Sequence, residues 1–256
     1  MIVAGALTGL LVGLTGVGGG SLMTPILMLI FGVAPVTAVG TDLWFAASTK
    51  LVATRVHHAG NVVDWMVARR MWLGSIPATL ITVALIKYGV VSNGKRDVLV
   101  PIIGSVVLLS AVTMLFQARL QTFGRSLRLG HTTEFKRSQL PLTIAAGALL
   151  GVLVTLTSVG AGAIGAPILA YLYPLRLTPP RLVATDIVHA IPLTIVGGIG
   201  HLVIGNVDGG LLGTLLIGSI PGAIIGATLS SRLPHAVVRG AMAVTLIAIG
   251  IKLLAS

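Results

Sequence analysis

The segment LTGVGGGSLMTPIL at residues 14–27 returns as LTSVGAGAIGAPIL at residues 156–169. Each is an apolar run that breaks into glycines and resumes through a proline, Pro25 or Pro167. Glycine admits positive φ and lets a guest approach the backbone. A helix restarting after the break, near Ser21 or Ala163, presents free N–H groups at the positive end of its dipole. The chemistry on offer is anion binding by the backbone. Gly18, Gly19 and Gly20 in the first segment and Gly160 and Gly162 in the second are the candidate ligand-facing positions, and Thr15, Ser21, Thr24, Thr157 and Ser158 add hydroxyl donors without adding charge. The alternative use of such glycines is close packing of crossed helices. Packing alone requires neither three glycines in succession nor a proline at a fixed distance in both copies.

Four ionisable residues stand inside apolar runs. Asp42 and Asp186 occupy matching places in GTD (40–42) and ATD (184–186), and a carboxylate within a membrane segment is costly and marks function. The two could carry a coupling proton or pair with a cation such as Lys50; a cap or interfacial position near the segment start is the structural alternative. On a helix Lys50 lies about 12 Å along the axis from Asp42, so each needs a partner elsewhere, or Lys50 snorkels to the interface. His189 follows Asp186 by three residues on the same helical face, the spacing of a proton relay, although a histidine bonded to a backbone carbonyl satisfies the same pattern. Phe45 replaces it in the first half, so a relay would be asymmetric. His57, His58 and His201 read as interfacial, and neither carboxylate nor cysteine joins them at metal-ligand spacing. No metal and no cofactor is expected.

Composition names the solvent for these residues. Of 256 residues 55% are hydrophobic and 9% charged, with mean hydropathy +1.04, too few charges to cover a water-soluble globule of this size. The chain reads as an all-α polytopic membrane protein. Without cysteine, disulfides, thiolate metal sites and cysteine nucleophiles are excluded. The net charge of +11 calls for no nucleic acid, because basic residues of membrane chains collect in cytoplasmic loops. The opening MIVAGALTGLL has neither a basic n-region nor an A-x-A site and reads as the first membrane segment.

The repeat runs through the chain. GNVVD (60–64) matches GNVD (205–208), and GSIPA (74–78) matches GSIPG (218–222). Residues 1–118 form a first membrane repeat, 119–139 a basic cytoplasmic loop, and 140–256 a second repeat. Each repeat has one glycine-interrupted segment and three long apolar runs, near 37–56, 66–88 and 97–118, then 179–203, 209–230 and 235–254. If each glycine segment crossed the bilayer, lysines and arginines outside it would divide 9 to 7 between the two sides; if each turns back, they divide 12 to 4. The positive-inside rule selects the second arrangement. Two inverted repeats follow, each a re-entrant helical hairpin plus three transmembrane helices, with both hairpin tips at one midplane site. Residues 2–14 and 21–32 are too short to span but suffice for half-helices.

The glycine-rich hairpin followed by P-I-L, the duplicated halves and the length resemble the TauE/SafE family of sulfite exporters and related anion permeases. GTDLWFAASTKLVATRVHHAGNVVDW followed by GSIPA is similar to one bacterial branch of it. The resemblance covers essentially the whole chain and carries the glycine hairpins onto Gly16, Gly18, Gly19 and Gly20 and onto Gly160 and Gly162. Ser158 and Ala161 replace glycines in the second copy. The resemblance implies a secondary transporter of the bacterial inner membrane that exports a small anion, sulfite or a small sulfonate, and leaves the anion itself open. No nucleotide-binding loop is present, so a proton gradient or membrane potential would supply the energy. An intramembrane enzyme or a scaffold subunit is the alternative. The partners expected are the small anion and the lipid bilayer; a homo-oligomer is compatible with the sequence.

Overall fold

In a computed structural model that describes residues 1–15, 20–57, 62–90, 96–130, 132–229 and 235–255, α1 spans Ile2–Thr15 and α2 spans Gly20–Leu29, with Pro25 inside it. Next come α3 (Pro35–His57), α4 (Trp65–Lys87) and α5 (Arg96–Gly130). The second half holds α6 (Thr132–Thr157), the short α7 (Gly165–Leu172), α8 (Pro179–Ile204), α9 (Gly209–Leu229) and α10 (His235–Leu254). Asp64 caps α4 through the Val67 N–H, and Asp208 caps α9 through the Leu211 N–H at 2.9 Å. A proline at its first position opens α8, and Gly205, at φ 88°, closes it in the left-handed conformation, the favoured C-terminal stop.

The chain is an all-helical polytopic membrane protein. Among the described residues, Val98–Leu127, Arg137–Thr157, Pro179–Ile204 and Gly209–Leu229 are long and apolar enough to cross a bilayer. Large apolar side chains such as Leu73, Ile81, Val203, Ile217 and Val244 face outward, as lipid contact requires.

Two features differ from the sequence reading. The basic stretch 119–139 is helical up to Gly130 and again from Thr132, so α5, at roughly 52 Å, extends well past a hydrocarbon core of about 30 Å. Charge alone does not end a helix, and a glycine such as Gly124 within it costs only about 1 kcal/mol. The first arm of the second hairpin is also not short: α6 fuses the arm to that polar extension, and its apolar part has spanning length.

Small residues let the helices touch backbone to backbone. A Cβ added at Gly9 would sit 2.3 Å from the Ser219 carbonyl oxygen, with Gly5 against Leu215 and Gly13 against Ala223. Numbers rise together along both helices, so α1 and α9 run parallel. Gly147 against Met71 and Gly151 against Ser75 make α6 and α4 parallel in the same way. Leu43 faces Gly197 while Gly40 faces Asn206, which makes α3 and α8 antiparallel. Gly104 meets Leu254, Gly250 meets Leu108, and Arg239 bonds Gln117, so α5 and α10 are antiparallel as well. These four pairings exchange members of one half for members of the other.

Candidate functional site

The second glycine tip is built by its own polar groups. The Thr157 hydroxyl reaches the Leu153 carbonyl at 2.6 Å and accepts the Val159 N–H at 3.1 Å, which closes α6 and leaves that hydroxyl engaged. Ser158 then takes φ 58°, Gly160 φ 125° and Gly162 φ 105°. The turn is thus left-handed at three of five positions, and the serine adopts a conformation that costs side-chain-bearing residues. The N–H groups of Ile164 and Gly165 both point to the Gly160 carbonyl, and α7 departs from there. In the first hairpin Gly16, Gly18 and Gly19 lie outside the described residues; Thr15 and Gly20 end α1 and begin α2, and Ser21 and Thr24 are buried.

The charged residues gather at these tips. Asp42 on α3 accepts from Thr24 twice, from the backbone N–H at 3.1 Å and from the hydroxyl at 2.5 Å, and Ser158 of the other hairpin lies beside it. Lys50, two turns further along α3, is 1% exposed and extends its ammonium to the Ala161 carbonyl at 3.4 Å. Its charge is felt by both aspartates, and Asp186 Oδ1 on α8 packs against Gly165 at the start of α7. One buried cation from the first half and two buried carboxylates, one from each half, therefore lie near the tips, with the ammonium against the second.

His189 is buried, but its ring turns away from Asp186. Nε2 lies 3.0 Å from the Ser75 hydroxyl on α4, and the Trp72 indole N–H donates to the His189 carbonyl at 3.0 Å. The two residues share a helical face without sharing a hydrogen bond. His201 is buried too, with Nε2 2.9 Å from the Thr155 carbonyl; the His57 side chain and His58 lie outside the described residues. Asp42 Oδ1, Asp186 Oδ1, His189 Nδ1 and Ser158 Oγ make no hydrogen bond. Leaving a buried polar group unpaired costs about 1–3 kcal/mol, so unpaired atoms on both aspartates and on Ser158 of the second tip mark a place made for a polar guest. Among the described residues no three His, Cys, Asp or Glu side chains group to hold a metal.

Sequence reasoning missed the threonines of the two T-D pairs. Thr41 accepts the Asp208 N–H at 3.0 Å, and Thr185 accepts the Asp64 N–H at 3.0 Å. Each half thus uses its own threonine to hold the capping turn of the other half, while the adjacent aspartate points to a hairpin. The signal was present: both the T-D pair and the G-N-V-D turn occur twice in the same order.

Asp64 also takes a two-point hydrogen bond from Arg176, one limb at 3.1 Å. Burial alone would lift the Asp64 carboxyl, but Arg176 and the Val67 N–H outweigh it and hold the carboxyl below its ordinary value. A folded value below the unfolded one makes this stabilisation complete above the ordinary 3.8 and removes it as pH falls through the lower folded value. Asp64→Asn should therefore lower the melting temperature of the detergent-solubilised protein at pH 7 and approach wild type only as pH falls through the lowered folded value. A deficit that is the same at every pH would exclude the ion pair as its source.

An all-helical, multi-pass protein whose buried charges meet at interrupted helices has the build of a membrane transporter. Residues 1–253 match the family model described as Sulfite exporter TauE/SafE, and the chain belongs to that family. It is 34% identical to the probable membrane transporter protein YjnA of Bacillus subtilis, over 81% of this chain and 80% of that one. It is 28% identical to a probable membrane transporter protein of Methanocaldococcus jannaschii, over 82% and 73%, and 24% identical to the probable membrane transporter protein YunE of Bacillus subtilis, over 81% and 79%. No solved structure matches the chain. The protein is a membrane transporter and not an enzyme.

Proposed function

We propose that this transporter exports a small anion, sulfite or a small sulfonate, across the bacterial cytoplasmic membrane, through a site formed where the two glycine-rich hairpins meet. The observation that carries the reading is Lys50, a buried cation held against the Ala161 carbonyl of the second tip. Lysine and hairpin backbone attract the anion; the two buried carboxylates oppose it, so its entry is linked to their charge state. That link supplies coupling to the proton gradient. The engaged Thr157 hydroxyl leaves Lys50 and Ser158 with a larger share of the anion than the sequence alone suggests. Purified protein in liposomes loaded with sulfite tests it: efflux should depend on the protein and on an imposed pH gradient. Absence of flux for both sulfite and a two-carbon sulfonate would reject the substrate class.

The repeats are inverted in this reading, and 119–139 with the turn at 174–180 lies on the cytoplasmic side. Support comes from the parallel α1/α9 and α4/α6 pairs, the antiparallel α3/α8 and α5/α10 pairs, and the return of α2 along α3 that places Thr24 on Asp42. At one end of the bundle Phe123 stacks on Tyr171, and the Gln139 amide donates to the Leu172 carbonyl. Cysteines introduced at the exposed Ser126 and Leu175 in this cysteine-free chain should react with an impermeant thiol reagent from the same side, the cytoplasmic one. Labelling from opposite sides would establish a parallel duplication instead.

A further inference from the structure

We infer a binding site for an anionic phospholipid headgroup on the outward face of α4. A groove of about 730 Å³ runs along the first three turns of this helix, with Arg69, Arg70, Leu73, Ile76 and Pro77 on one stripe and Trp72 as its wall. No carboxylate lines the groove, and among the described residues Asp64–Arg176 is the ion pair present. Among those residues Arg70 reaches the Tyr173 hydroxyl, at 3.5 Å. An external anion would give both guanidinium groups the partner that the groove lacks.

The rest of the groove is apolar. Leu73 is 64% exposed and, with Ile76 and Pro77, continues the stripe toward the membrane interior as a track for an acyl chain. Trp72 is fixed by its bond to the His189 carbonyl and packs edge-on to Trp65 at 6.5 Å, the aromatic arrangement of a headgroup-level belt. A second copy of the chain across a two-fold axis would set arginine against arginine, which like-charge repulsion opposes. A phosphodiester between Arg69 and Arg70, with its tails along Leu73 and Ile76, satisfies both halves of the groove at once.

Native mass spectrometry of the full-length protein, titrated with phosphatidylglycerol or phosphatidylcholine, tests the site. Wild type should retain phosphatidylglycerol with a preference of roughly ten-fold or more, from two guanidinium contacts. Arg69→Gln with Arg70→Gln should bring that preference close to parity, whereas Arg119→Gln with Arg125→Gln, equal in charge removed, should leave it unchanged. If the double variant is not recovered folded, Leu73→Trp replaces it; that change fills the track without altering charge and should also weaken retention. Equal retention of both lipids by wild type, an unchanged preference in the Arg69/Arg70 or Leu73 variants, or a dimer cross-linked through a cysteine at Leu73 would each overturn the assignment.

Discussion

Exchanging Lys50 for methionine should abolish transport, with a fall of about a hundred-fold or more in the initial rate of sulfite efflux from liposomes. The side chain is nearly isosteric, so packing is kept and the charge is lost. Removing the cation leaves two buried carboxylates without it in a low-dielectric surrounding, and uncompensated buried charge costs about 3–5 kcal/mol. A loss of stability therefore accompanies the loss of flux, and the two have to be separated. Asp186 interacts with Lys50 more strongly than Asp42 does, and Asp42 has Thr24 to hold it. Combining Lys50→Met with Asp186→Asn should accordingly restore the melting temperature most of the way while flux stays absent; combining it with Asp42→Asn should restore less. Full flux in Lys50→Met would remove the lysine from the site. Recovery of flux together with stability in the double variant would reduce its role to scaffolding.

What the sequence disclosed and what it concealed divides along the distance between interacting residues. The doubled L-T-x-V-G and P-I-L segments, read through φ and helix ends alone, located the break between α6 and α7, which is left-handed at Gly160 and Gly162; the first glycine run, 16–19, lies outside the described residues. Long apolar runs fell within a few residues of α3, α8, α9 and α10. Burial of Asp42, Lys50 and Asp186 was one of two positions that their places in those runs allowed, and their mutual arrangement was not legible, because Lys50 finds Ala161 some 111 positions away and nothing in either local pattern names the other. Spacing placed Asp186 and His189 on one face; the ring of His189 nonetheless reaches Ser75 on α4, a choice made by the neighbouring helix. Thr41 and Thr185 sat in plain view within a repeated motif. Their partners, the Asp208 and Asp64 N–H groups, lie 167 and 121 positions away, which no local pattern names.

Glycines serve two separate physical purposes in this chain, and valine should tell them apart. Gly9 is a packing glycine: an added Cβ would meet the Ser219 carbonyl oxygen at 2.3 Å, a backbone atom that cannot move without separating α1 from α9. Gly9→Val should therefore yield little or no folded protein, judged by recovery as a single size-exclusion peak. Gly160 is different. An added Cβ there finds its nearest neighbour, a Val154 methyl, at 3.6 Å, so space is available, but φ is +125° and a β-branched residue does not hold that conformation. The strain is of the order of 1–3 kcal/mol, enough to re-route the tip without unfolding ten helices that are packed elsewhere. The residue displaced next to it is Ala161, whose carbonyl holds Lys50. Gly160→Val should insert, purify and melt within a few degrees of wild type, yet lose sulfite efflux by about a hundred-fold, as a misplacement of roughly 1 Å in a positioned site does. Wild-type flux would show that the left-handed turn is dispensable to the site. Failure to fold would class Gly160 with Gly9 and leave the second tip as packing, with Lys50 as the remaining candidate for anion attraction.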